Sequence, residues 1–99
     1  MMKRTVTYHP KVPSEARDFL DYYQNVSTGL ADDFWGELLE AIDYACAHPE
    51  RHHFDRLGLR RSNLTRFPVN FLFRVFPESI RITVVRHDSR NPAYGAGRR

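Results

Sequence analysis

The sequence predicts an α+β domain of order β-α-α-β-β-β, a helical hairpin packed on one face of a small, mostly antiparallel twisted sheet. Three observations lead there. Apolar residues recur at helical spacing in two successive runs between residues 13 and 48. Only Ser27-Thr28-Gly29 separates those runs, and so short a break implies an antiparallel helical hairpin. In the last third of the chain the period drops to two, and two alternating runs flank a three-residue turn.

Thr5 to Tyr8 is β-branched and aromatic, is bounded by His9-Pro10, and reads as a short first strand. From Pro13, which suits a first helical turn, Ala16, Phe19, Leu20 and Tyr23 form one stripe, with Glu15, Asp18 and Asp21 opposite. Tyr22 falls off that stripe, at an edge or against a partner. The second helix carries Ala31, Phe34, Trp35, Leu38, Ile42 and Ala45 on its apolar side, all read as core. Asp32 and Asp33 are placed near its N-terminus, where acids complement the helix dipole, and Pro49 closes it at about His48.

The remainder reads as β. Arg60 to Phe67 makes a strand of poor alternation ended by Pro68. Val69, Phe71, Phe73 and Val75 then share a face, opposed by Asn70, Leu72, Arg74 and Phe76. After Pro77-Glu78-Ser79, Ile80, Ile82 and Val84 form the apolar face of the last strand, with Arg81, Thr83, Val85 and His87 opposite. This pattern leaves one sheet face open, bearing Arg74, Arg81 and His87 among Leu72, Phe76 and Val85. From Asp88 the periodicity is lost, so residues 88–99 read as an irregular tail of a single domain spanning 1–99.

Composition narrows the function classes. The lone Cys46 excludes an internal disulfide and fits a reducing cytosol. No apolar run approaches the ~20 residues of a membrane span, and no apolar signal core follows Met1-Met2-Lys3-Arg4, so a cytoplasmic, membrane-free protein is expected. Charge is divided unevenly: residues 1–50 carry a balance of −5 and residues 51–99 one of +8. Every base in the second half is arginine, whose planar donor fork suits carboxylate and phosphate. An anionic partner, nucleic acid or an acidic protein segment, is the consequence, against the plainer reading of a solvated basic surface. His48, His52, His53 and Asp55 read as a polar helix-terminating loop rather than a metal site, and no cofactor is expected. Cys46 sits beside the core stripe and reads as an inert thiol.

Four stretches add a resemblance: Ala45-Cys46-Ala47-His48-Pro49-Glu50-Arg51, Leu59 to Pro68, Phe73-Arg74-Val75, and Val84-Val85-Arg86-His87-Asp88-Ser89-Arg90-Asn91-Pro92. In this order, within a chain this short, they resemble the RelE/ParE toxins of bacterial type II toxin–antitoxin systems, and the strands look closer to the ParE-like branch. The resemblance covers nearly the whole chain. It implies a growth-inhibiting, plasmid-stabilising toxin held inactive in a hetero-oligomer by a cognate antitoxin that wraps an extended or helical segment around it. ParE-like members inhibit DNA gyrase. RelE-like members cleave mRNA on the ribosome, using basic residues on the open face and a tyrosine or histidine near the C-terminus.

Metal-free RNA cleavage needs a base for the ribose hydroxyl, a cation for the phosphorane and an acid for the leaving oxygen. Where nucleases of the family carry an arginine early in the penultimate strand, this chain has the neutral Asn70. Arg74, Arg81, His87 and Tyr94 remain the catalytic candidates. The partner-binding set is Arg61, Leu72, Arg74, Phe76, Arg81, His87, Arg90 and Tyr94. The expected target is DNA gyrase, with ribosome-bound mRNA as the alternative and a homologue that binds only its antitoxin as a third possibility.

Overall fold

The computed structural model describes residues 3–99, so Met1 and Met2 fall outside the described residues. Its elements are β1 (Thr5–Tyr8), α1 (Val12–Val26), α2 (Thr28–Ala47), a 3-10 turn (Pro49–Arg51), β2 (Arg60–Asn63), β3 (Val69–Val75) and β4 (Ser79–His87). The sheet order is β1-β4-β3-β2, with β1 parallel to β4 and the other pairs antiparallel. This is the predicted α+β architecture. Among the described residues, no helix is long and apolar enough to cross a membrane.

The helical hairpin turns on one residue rather than three. Ser27 is extended; its amide donates to Tyr23 O at 2.9 Å, closing α1, and its side chain accepts from the Leu30 amide at 3.0 Å, opening α2. Thr28 and Gly29 are therefore helical, and Asp32 and Asp33 lie past the first turn, out of the position expected for them. Asp33 instead pairs with Arg66 at 3.1 Å, and Glu37 accepts the Thr65 and Arg66 amides, tying α2 to the β2–β3 connection.

The helices bury Ala16, Tyr23, Ala31, Phe34, Leu38, Ile42 and Ala45 against Val69, Phe71, Phe73, Ile80, Ile82 and Val85 of the sheet. β2 ends four residues before the expected Phe67. The chain leaves the sheet after Asn63, and Leu64 and Phe67 turn into the core, Phe67 stacking edge-on with Tyr23 and Phe34 at 4.9 and 5.4 Å. That is why the run alternated poorly. Trp35 does not join Phe34 in the core; it is 39% exposed beside the α1–α2 groove, and Tyr22 is exposed as its off-stripe place implied.

One irregularity reorders the far end of the sheet. Leu72 pairs with Val84 and Phe73 with Ile82, so Thr83 is an extra residue in β4. Up to Ile82 the expected faces hold. Beyond the bulge they exchange: Val84 lies with Leu72 on the face away from the helices, and Val85 packs into the main core. His87 follows Val85 to the helix side, facing Glu15, Asp18 and Phe19 of α1, and so leaves the face of Arg74 and Arg81.

Nor is the distal face open. Leu59, Leu72 and Val84 form a second buried cluster closed by Leu57 and Tyr94, so the 54–59 loop and the tail cover it. Leu72 and Val85, read as exposed apolar area, are both buried; of that trio Phe76 alone is exposed, at 45%. Gly95 lets the tail lie flush: its φ is +83°, and a Cβ there would sit 2.2 Å from Val84 Cγ2.

Candidate functional site

Three neighbouring groups of side chains surround the tail. The first is the basic end of the β3–β4 hairpin. Arg74 and Arg81 face each other across the strands, with Phe76 exposed at the turn. Arg74 donates to Arg98 O at 3.4 Å, and neither Arg74 nor Arg81 makes an ion pair among the described residues. His9 registers this positive field: desolvation first, then the Arg98 and Arg81 charges, hold its imidazole below the ordinary value. Two arginines without carboxylate partners beside an exposed aromatic ring form a surface suited to an acidic segment.

The second group centres on Arg86, which sequence reasoning missed. Its side chain is 4% exposed, as is that of Asp55, and the two lie 3.7 Å apart. Arg86 also donates to Asn70 Oδ1 at 3.3 Å and to the carbonyls of Pro92 and Tyr94 at 3.0 and 3.4 Å. Burial, then the nearby Arg61 charge, pull its guanidinium below its ordinary value. Asn70 in turn donates to Asp88 at 2.8 Å, and Asp88 pairs with Arg61 at 3.6 Å. Asp55 thus belongs to this network rather than to a histidine cluster. His52 packs edge-on against Phe73, and no group of three or more His, Cys, Asp or Glu side chains converges among the described residues. A cavity of about 280 Å³ opens here, lined by Asp55, Arg56, Arg61, Arg86, Asp88 and Arg90.

The third group sits where β1 runs out. The β1–β4 ladder stops at Tyr8 opposite Ile82, with one further bond from the His9 amide to Ile82 O, leaving β4 with a free edge at Thr83–Val85. Side chains take the place of the missing strand. Glu15 of α1 accepts the Val85 amide at 3.1 Å, the Tyr94 hydroxyl, and Arg98 Nη1 at 2.8 Å, while Arg98 also donates to Thr83 O at 3.1 Å. Arg90 stacks over the Tyr94 ring at 4.1 Å. Glu15, Asp18, His87, Arg90 and Tyr94 line a second cavity of about 280 Å³.

The structure therefore sorts the predicted residues into separate places. Arg74, Phe76 and Arg81 lie together, as do His87, Arg90 and Tyr94, and Arg61 joins Arg86. Leu72 is buried beneath the tail. His87 is six residues from Arg81 along β4, about 20 Å at ~3.3 Å per residue, and on the opposite face. Its Nδ1 is held by the Ser89 amide at 3.0 Å. The missed residues are Glu15, Asp55, Arg86 and Arg98. No protein-family model matches the chain, and no curated protein matches it.

Proposed function

We propose that this chain is the toxin component of a type II toxin–antitoxin module of the RelE/ParE kind. In this reading it is a cytoplasmic protein, neutralised by a cognate antitoxin, that arrests growth by binding DNA gyrase rather than by cleaving RNA. The observation that carries the choice is the dispersal of the catalytic candidates. A phosphate gripped by Arg74 and Arg81 is about 20 Å and one sheet face away from His87. Asn70 is neutral and buried, and Arg86, the nearest arginine to it, is consumed by Asp55 and tail carbonyls. Two of the four stretches that carry the family resemblance, Leu59 to Pro68 and Val84 to Pro92, meet in the Arg61–Asn70–Arg86–Asp88 network, which supports the assignment to that family.

An acidic antitoxin segment then meets the hairpin end, Arg74, Phe76 and Arg81, instead of lying across the whole distal face. Induced expression of the chain alone should stop growth, and co-expression of the adjacent short reading frame should restore it. In the same pair, Arg74→Glu and Arg81→Glu should each weaken complex formation roughly 10- to 100-fold and flatten its salt dependence. Unimpaired growth, or full affinity in both folded variants, contradicts the respective half of the proposal.

One observation favours the ribonuclease alternative: His87, Arg90, Tyr94 and Glu15 share a cavity. Under that reading Tyr94→Phe removes a proton donor and should lower the cleavage rate on the order of 100-fold. Under the gyrase reading the ring is what counts, and Tyr94→Phe stays toxic.

A further inference from the structure

The C-terminal tail is fastened in an unusual way. Residues 92–98 contribute one large apolar side chain, Tyr94, to the small distal cluster, and that cluster is separate from the main core. Two buried charged side chains of the body hold the rest. Arg86 binds the carbonyls of Pro92 and Tyr94, and Glu15 binds the Tyr94 hydroxyl and Arg98. Arg98 and Glu15 are only 12% and 10% exposed, so their charges are fastened to each other rather than to water. Glu15 reaches this point from α1, more than 70 residues away in the chain, and the same carboxylate also caps the free edge of β4 at Val85.

We propose that segment 92–98 is a releasable strap latched to α1 through Glu15, which opens as a unit without unfolding the core and thereby uncovers the Leu72–Val84 face and the β4 edge at Thr83. The inference rests on the latch geometry and stands whether or not the chain is a toxin. Lifting the strap breaks few contacts: the bonds from Arg86 and Arg74 to its carbonyls, the bonds of Tyr94 and Arg98 to Glu15 and Thr83, and the packing of Tyr94 in the distal cluster. The core seam between the helices and Val69, Phe71, Phe73, Ile80 and Ile82 is untouched by it. Free energies of local opening span from near zero to the global value, and a segment held mainly by polar contacts falls at the low end. Opening lifts Tyr94 from Leu72 and Val84 and Arg98 from the Thr83 carbonyl, so it bares an aliphatic patch and one strand-edge acceptor, flanked by Arg61, Arg74 and Arg81, while Glu15 still caps the Val85 amide. The two left-handed glycines, Gly95 and Gly97, at φ +83° and +84°, shape the strap so that it can lie flat when latched.

Hydrogen exchange of the full chain, read by mass spectrometry, tests this. Glu15→Gln keeps an acceptor oxygen for the Val85 amide but replaces the oxygen shared by Tyr94 and Arg98 with an NH2 donor and removes the charge that Arg98 needs; Glu15→Ala removes everything. Exchange of the tail amides, among them Tyr94, Ala96 and Arg98, should rise on the order of 10-fold in the first and further in the second, while β3 and α2 keep wild-type protection. Arg98→Met should reproduce the Glu15→Gln result and, combined with it, add little. It also serves if Glu15→Ala does not fold. Unchanged tail exchange in both Glu15→Gln and Arg98→Met overturns the latch. A rise shared equally by the tail and β3 overturns the strap as a unit, because the tail would then open only with the core.

Discussion

Arg86→Met isolates what the buried network is worth. The wild-type guanidinium and the Asp55 carboxylate are each 4% exposed and 3.7 Å apart, and Asp55 Oδ2 has no hydrogen-bond donor of its own among the described residues. Removing Arg86 leaves that carboxylate buried without its ion-pair partner and also frees the carbonyls of Pro92 and Tyr94. Breaking a buried pair from one side costs about 3–5 kcal/mol. At about 4 °C per kcal/mol for a domain near this size, the melting temperature should fall by at least about 12 °C. Asp55 Oδ1 already accepts the Leu57 and Leu59 amides, and asparagine keeps that oxygen, so Asp55→Asn preserves the loop turn. Arg86→Met with Asp55→Asn should therefore be more stable than Arg86→Met alone, by about 2 kcal/mol. Urea denaturation followed by circular dichroism measures both. A loss under about 1 kcal/mol for Arg86→Met, or a double variant no better than the single, would refute the view that an uncompensated buried charge dominates this network.

Other outcomes follow from single features. The Thr83 hydroxyl is fully buried with no partner among the described residues, so Thr83→Val should raise stability by about 1 kcal/mol in the same denaturation experiment. Gly95→Ala forces a Cβ into Val84 at a left-handed φ and should cost more than about 1 kcal/mol, with the tail amides losing protection first. Burial, with Asp43 adding to it, pushes the Cys46 thiol above its ordinary value, so less thiolate is present at neutral pH. Alkylation by iodoacetamide should be slow in the native protein and rapid once it is unfolded; fast native labelling contradicts the buried placement.

The sequence was most legible where one period runs without interruption. The stripes through Ala16–Tyr23 and Ala31–Ala45 and the alternation Val69–Phe73 give elements that the structure keeps, because each buries a continuous apolar face. Legibility fails at Thr83. One extra residue exchanges every later side chain between faces, so Val84, Val85 and His87 all land opposite to strict alternation. A signal of this was present: strict alternation puts Arg86 beside Ile82 and Val84 on the helix side, an unfavourable place for an arginine without a carboxylate. The Asp55–Arg86 and Glu15–Arg98 pairs span 31 and 83 residues, and no local pattern links such partners. The tail lacks periodicity because carbonyls, two glycines and a single tyrosine dock it, which leaves no apolar rhythm to read.

The central claim, action by binding a topoisomerase, meets its most direct test with purified protein in two parallel assays. One measures DNA supercoiling by gyrase. The other maps mRNA cleavage on stalled ribosomes by primer extension. Inhibited supercoiling with intact mRNA, and relief of the inhibition by the cognate antitoxin, is the predicted result. Codon-periodic cleavage with supercoiling untouched contradicts the claim and transfers function to the cavity of His87, Arg90 and Tyr94.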